Sequence, residues 1–203
     1  MLNNQSNSRI LLYIPSLRGG GAERVAVDLA RRWVYDDHEI ILLTQSDAST
    51  DAYQLDSRVQ RVSLGTFGKT GFFGHLTQVL RLRREMRRYR PDVVVSFMTS
   101  ASVFAIIASI ALPCKVIVTE HAYPPFQKLS KSWQRLRKFF YPKAAQVVTL
   151  TQATADFLKK EIPNANFSVI PNAVHWPLDE HKPRVQMHKS EGKKWLLGVG
   201  RLQ

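Results

Sequence analysis

Cysteine and acidic side chains are both scarce in this chain of 203 residues. Cys114 is the single cysteine, so no disulfide can form within the chain, and a fold stapled by internal disulfides is excluded. A reduced, cytosolic setting is the expectation that follows. The 16 acidic residues face 29 lysines and arginines, which gives a formal net charge of +13. This surplus predicts an anionic partner: a nucleic acid, a phosphorylated small molecule or an anionic membrane surface.

A recognisable secretory signal is also lacking. Residues 1–8 carry no charged side chain, and the apolar run at 10–14 is too short for the hydrophobic region of a signal peptide. One stretch without charge is long enough to cross a bilayer, the 22 residues 93–114. It begins with three valines and contains five serines and threonines, so we expect a buried strand followed by a buried helix instead of a membrane span.

Two glycine-rich nucleotide-binding patterns are missing as well. The glycine triplet at 19–21 is followed by Arg24 where the dinucleotide pattern G-x-G-x-x-G needs glycine, and no P-loop pattern occurs. An apolar run at 9–15, the triplet, and helical apolar spacing over 22–33 together predict the strand, turn and helix that open a βαβ unit. The amides of such a turn favour an anion such as phosphate. A turn that only lets the strand and helix pack is the alternative.

Apolar strands and amphipathic helices alternate along the rest of the chain. The further predicted strands are 39–44, 58–64, 92–97, 115–120, 146–150 and 166–170. The helices between them are predicted to begin near 76 and at 102, 131 and 153. Strands separated by helices of this length indicate an α/β fold with a doubly wound, Rossmann-like parallel sheet.

Polar side chains follow two of these strands at the edge where α/β proteins bind ligands. Thr99 and Ser100 come after the strand at 92–97, and His121 comes directly after the strand at 115–120. We consider two roles for these hydroxyls: capping the next helix, or binding sugar or phosphate groups. Three are open for Glu120: orienting the ring of His121, contacting a sugar hydroxyl, or standing as an ordinary surface carboxylate.

Short motifs in order along the chain resemble the N-terminal, acceptor-binding domain of retaining glycosyltransferases of family 4, which have the GT-B fold. They are Gly-Gly-Ala-Glu-Arg-Val at 20–25, Glu-His at 120–121, Pro-Asn at 171–172 and Gly-Arg at 200–201. The resemblance implies one half of a GT-B architecture: an acceptor domain at 1–171, a linker at 172–194, and the first strand of a donor domain at 195–203. On this reading the chain is truncated and is expected to be inactive alone.

The same resemblance implies the reaction and the residues that serve it. A sugar would pass with retention from a nucleotide-diphosphate sugar to a lipid-linked or polysaccharide acceptor, without a metal or other cofactor. His121 would be the catalytic-site histidine, used for orientation more than as a base. The implied donor-binding residues are Gly20, Gly21 and Arg201. The implied acceptor-binding residues are Arg24, Thr99, Ser100 and Glu120.

Basic residues cluster at 81–90, which has six arginines, and at 128–143, which has six basic residues and no acid. Together with the resemblance, the clusters favour peripheral docking on an anionic membrane, the inner face of the cell membrane. The predicted docking residues are Arg81, Arg84, Arg88, Lys128, Lys131, Arg135, Lys138 and Phe139. The alternatives are a solvated helix face and a non-catalytic basic module that binds membrane or nucleic acid. No helix-turn-helix, RNA-binding aromatic signature or zinc pattern supports a specific nucleic acid partner.

Overall fold

The computed structural model describes residues 7–68 and 70–173, and within them the chain forms seven parallel strands and five α-helices. The strands are β1 (Arg9–Ile14), β2 (Glu39–Thr44), β3 (Gln60–Ser63), β4 (Val93–Phe97), β5 (Lys115–Glu120), β6 (Gln146–Thr149) and β7 (Phe167–Val169). The helices are α1 (Gly21–Tyr35), α2 (Gly71–Tyr89), α3 (Thr99–Ser109), α4 (Lys131–Phe140) and α5 (Gln152–Glu161). The order across the sheet is β3-β2-β1-β4-β5-β6-β7, so the predicted doubly wound parallel sheet is confirmed.

Side chains of the central strands are buried on both faces of the sheet. In β1, Leu11 and Tyr13 belong to one core cluster, whereas Leu12 and Ile14 belong to the other. Alternate residues of a strand point to opposite faces, so a strand covered on both sides needs the near-continuous apolar run seen in the sequence. Helix α1 covers one face, called here the α1 face. Helices α2 to α5 pack against the other, called here the α3 face.

The uncharged stretch at 93–114 forms β4 and α3, and eight of the 11 residues of α3 are buried. The expectation of a buried strand followed by a buried helix is therefore confirmed. In the described part of the chain, no helix combines the length and the apolarity that a bilayer crossing requires.

Two helices begin earlier than predicted. Helix α2 begins at Gly71 instead of near 76, because Gly74 is accommodated inside the helix at a cost of about 1 kcal/mol. Helix α3 begins at Thr99 instead of 102, because Met98 adopts a φ of 70° and turns the chain directly from β4 into the helix. The N–H of Met98 donates to the carbonyl of Thr119 and its carbonyl accepts from the N–H of Ser102, which offsets the cost of this left-handed conformation.

The carboxyl ends of the parallel strands meet at one edge of the sheet, called here the ligand edge. Strand β4 lies between β1 and β5, and neighbouring strands are about 4.8 Å apart, so the ends of β1 and β5 lie about 10 Å apart. The chain order reverses between β1 and β4, and open α/β sheets bind ligands at such a switch point. The turns after β1, β4 and β5 are therefore neighbours.

Candidate functional site

The glycine triplet forms the turn between β1 and α1 at the ligand edge. Gly19 has a φ of 109°, in the region that favours glycine, and a Cβ there would lie 3.7 Å from the Cβ of Ala52. A Cβ on Gly21 would meet no atom of the described residues within 4 Å. The turn thus brings backbone and the positive end of the helix dipole to the ligand edge, and such an N-terminus favours an anion.

A tyrosine that sequence reasoning missed holds this turn. The hydroxyl of Tyr53 accepts from the N–H of Gly20 at 3.2 Å and donates to the carbonyl of Gly20 at 3.0 Å. The N–H of Gly20 is therefore already bonded within the protein. No signal in the sequence marks Tyr53, which lies 33 residues further along the chain.

Arg24 stands on the first turn of α1 next to the glycine turn. Its side chain is exposed, and its Nε lies 3.8 Å from the Oδ2 of Asp28 one turn further along. An exposed pair of this kind contributes little to stability, so the guanidinium remains able to reach an anionic ligand.

His121 lies at the same edge and on the same face as the glycine turn. Its ring stacks on Phe97, with centroids 5.4 Å apart, and Phe97 belongs to the core of the α1 face. The hydroxyl of Thr119 donates to the carbonyl of Ser96 at 3.0 Å, so its oxygen accepts from the Nε2–H of His121 at 3.2 Å. This arrangement assigns the proton to Nε2 and leaves a lone pair on Nδ1, an atom that is itself buried and has no hydrogen-bond partner among the described residues.

Burial lowers the pKa of His121 below its ordinary value of 6.5. The imidazole is therefore neutral near pH 7, with an acceptor nitrogen at Nδ1. A neutral ring of this tautomer accepts a hydrogen bond from a hydroxyl group, which is the interaction needed to orient a sugar or alcohol acceptor.

Glu120 points to the opposite face from His121, because successive residues at a strand end alternate. Its Oε1 accepts from the hydroxyl of Thr99 at 2.9 Å and from the hydroxyl of Tyr141, which lies in the core of the α3 face. Glu120 is 1% exposed and makes no hydrogen bond to His121. The interpretations of Glu120 as a surface carboxylate or as the partner that orients the ring are therefore wrong.

Of the hydroxyls after β4, Thr99 is buried and bonded to Glu120, whereas Ser100 is half-buried. Neither caps α3, since Met98 occupies the capping position and makes no side-chain cap bond. Direct contact of Thr99, Ser100 or Glu120 with an acceptor stays a prediction. The predicted donor residue Arg201 lies outside the described residues, as do the strand at 195–203 and most of the linker.

The basic helices α2 and α4 both pack on the α3 face. Three of the predicted docking residues have partners: Arg81 donates to the carbonyl of Leu64, Arg88 lies 3.7 Å from Glu85, and Lys138 pairs with Glu161. All eight are exposed, including these three; the other five are Arg84, Lys128, Lys131, Arg135 and Phe139.

Helical spacing alone did not reveal an exposed apolar surface on α2. Phe72 and Phe73 are 76% and 80% exposed, and Leu76 and Leu80 are exposed as well. Phe72, Leu76 and Leu80 are spaced four residues apart and therefore lie on one side of the helix. Arg84 and Arg88 continue the same spacing on that side. The two adjacent phenylalanines are the signal that could have marked it.

Comparison with known proteins decides the family. A sequence profile of glycosyltransferase family 4 matches residues 19–175. The chain belongs to glycosyltransferase family 4. The match covers the glycine turn and His121, so the predicted resemblance is confirmed, as is the Rossmann-like half of a GT-B glycosyltransferase as fold class.

The relatives of this family 4 chain include a curated transferase from Campylobacter jejuni, named as the alpha-1,4-N-acetyl-D-galactosaminyltransferase that acts on GalNAc-alpha-(1->4)-GalNAc-alpha-(1->3)-diNAcBac-PP-undecaprenol. It is 29% identical over 138 residues, which are 66% of this chain and 38% of the relative. Sucrose-phosphate synthase from Thermosynechococcus elongatus has a similar fold, with a TM-score of 0.67 and 10% identity over 80% of this chain and 48% of that one. HepE from Anabaena, solved in complex with UDP, gives a TM-score of 0.62 and 20% identity over 82% and 44%. The chain thus spans less than half the length of these relatives.

Proposed function

We propose that this chain is the acceptor-binding part of a retaining glycosyltransferase that moves a sugar from a nucleotide-diphosphate sugar to a lipid-linked or polysaccharide acceptor. The observation that carries the proposal is the placement of the glycine turn and His121 on one face of one sheet edge. The name of the Campylobacter relative, which specifies an undecaprenol diphosphate carrier, and the UDP complex of the Anabaena protein support these substrate classes.

In this proposal the two parts of the edge have complementary tasks. The N-terminus of α1 faces the diphosphate of the donor, where negative charge grows as the glycosidic bond breaks. The buried, unpartnered Nδ1 of His121 is the acceptor atom in this proposal: an acceptor hydroxyl that reaches it donates a hydrogen bond and is held toward the donor carbon. Arg24, exposed on the first turn of α1, contributes positive charge near the helix N-terminus.

Acceptor binding by the chain itself tests this assignment. A water-soluble polyprenyl diphosphate saccharide with a short prenyl chain is titrated into the isotope-labelled chain, and amide signals are followed by NMR. We expect shifts around Gly21 and His121, and weaker binding by His121→Gln. The matched control His38→Gln alters a histidine whose Nδ1 accepts from the N–H of Ser8, far from the ligand edge, and should bind as the parent does. Shifts confined to other regions, or equal binding by His121→Gln, would refute the proposal.

We further propose peripheral docking on the anionic inner face of the cell membrane. The support is the side of α2 that presents Phe72, Phe73, Leu76 and Leu80 ahead of Arg84 and Arg88, with all four apolar residues exposed. Aromatic and aliphatic side chains of such a helix enter the interface while the arginines contact anionic headgroups. Helix α4 adds Phe139, which is 64% exposed, and the exposed Lys131 and Arg135. Flotation with anionic and neutral vesicles tests the docking.

A further inference from the structure

A group of polar side chains is buried just inside the ligand edge on the α3 face. Glu120 is 1% exposed, Arg137 is 4% exposed and Tyr141 is fully buried. Oε1 of Glu120 accepts from Thr99 and from Tyr141, and Nε2 of Gln127 lies 3.5 Å from the Thr99 oxygen. One carboxyl group thus joins the last residue of β5 to the first residue of α3 and to the turn that follows α4.

Arg137 is the unexplained member of this group. Its Nε and Nη1 are buried without a hydrogen-bond partner among the described residues, and so is Oε2 of Glu120, so the two charged groups are buried near each other without direct contact. A guanidinium keeps its charge at every accessible pH, and a buried charge without compensation is strongly unfavourable. Arg137 and Tyr141 are four residues apart on successive helical turns, so both project to the side where Glu120 lies.

The charges in this group act on each other. Burial raises the pKa of Glu120, while the hydroxyls of Tyr141 and Thr99 and the charge of Arg137 lower it. Among the described residues, the groups that face this carboxyl are Tyr141 and Arg137 from α4 and its continuation, and the Thr99 hydroxyl from α3. Arg137 is the cation of the set. Removing it leaves a buried carboxylate that has lost its compensating charge.

We propose that Arg137 is the buried counter-charge of Glu120 and serves as a positioning residue, which through Glu120 fixes the start of α3 and the turn that presents His121. The meaning of this geometry for catalysis rests on the proposed function of His121. The geometry itself does not, because the carboxyl of Glu120 ties the end of β5 to the start of α3 and to the turn that follows α4, and His121 is the next residue in the chain.

The counter-charge is tested by urea unfolding of the full chain over a series of pH values from acidic to alkaline. Arg137→Met is expected to lower the unfolding midpoint more as the pH rises, because a larger fraction of Glu120 is then ionised and needs a cation. In an E120Q background the same substitution should cost less and lose its pH dependence. The control Arg135→Met, on the exposed side of the same helix, should change the midpoint little at any of these pH values.

The positioning role is tested by the imidazole NMR signals of His121. His38 serves as an internal reference, because it precedes β2 at the edge of the sheet opposite the ligand edge. Arg137→Met and Glu120→Gln should both shift the His121 signals and leave those of His38 unchanged, and Arg137→Lys should restore part of the shift. If Arg137→Met fails to fold, Arg137→Lys and Glu120→Gln carry the same comparison. A cost of Arg137→Met that is independent of pH and additive with Glu120→Gln would overturn the counter-charge. Unmoved His121 signals would overturn the positioning role, and neither result depends on whether the chain binds an acceptor.

Discussion

Replacing Phe72 and Phe73 together by serine is expected to weaken binding to anionic vesicles by about a thousandfold. The two side chains are 76% and 80% exposed, so their loss removes apolar area from the surface and not from the core. Aromatic side chains bury about 150–250 Å² when fully covered. If about 75 Å² of each ring enters the interface, about 25 cal/mol per Å² gives about 2 kcal/mol per ring. Two rings then contribute about 4 kcal/mol, and about 1.4 kcal/mol corresponds to a tenfold change.

The assay is flotation with phosphatidylglycerol and phosphatidylcholine vesicles over a range of salt concentrations. Phe126→Ser is the matched control, because Phe126 is 87% exposed but lies in the turn before α4, away from α2. Thermal unfolding should show that all variants are folded. Binding of the double variant at the level of the parent, or an equal loss in Phe126→Ser, would refute the assignment of this face.

Three further results are expected. Tyr53→Phe removes the hydroxyl that makes two hydrogen bonds to Gly20, and should lower the free energy of unfolding by about 1–2 kcal/mol in urea titrations, whereas Tyr35→Phe on an exposed ring should not. Gly19→Ala forces a Cβ into a φ of 109° and should cost about 1–2 kcal/mol or more by the same measurement; a neutral effect would contradict the described turn. For His121, the folded-state pKa lies below 6.5, so its contribution to stability is present above that pH and is lost as the pH falls through the lowered value. The stability difference between the parent and His121→Gln should therefore shrink on acidification, and a difference that grows would show the opposite shift.

The positions of the strands were predictable because a strand that is buried on both faces is apolar at successive positions. A central parallel strand such as β2 or β5 must be apolar at successive positions, and both were predicted with the bounds that the structure has. Helix starts were less predictable, since no spacing rule reveals that α2 includes Gly74 or that a left-handed Met98 precedes α3.

The candidate site likewise has a part that the sequence predicts and a part that it does not. His121 and the glycine turn are read from their place after apolar strands, and parallel strands bring such positions to one edge. Glu120 is buried against Tyr141, 21 residues away, and Arg137 is buried as well, and neither fact follows from spacing within one element.

The double hydrogen bond of Tyr53 has a consequence for recognition. A single hydroxyl engages both the donor and the acceptor of one glycine residue, so the most permissive stretch of backbone in the chain is held in one shape before any ligand arrives. An anion that binds there meets a pre-organised surface, and the entropy loss of ordering a glycine loop does not weaken its affinity. In Tyr53→Phe the same stretch would have to become ordered at the moment of contact.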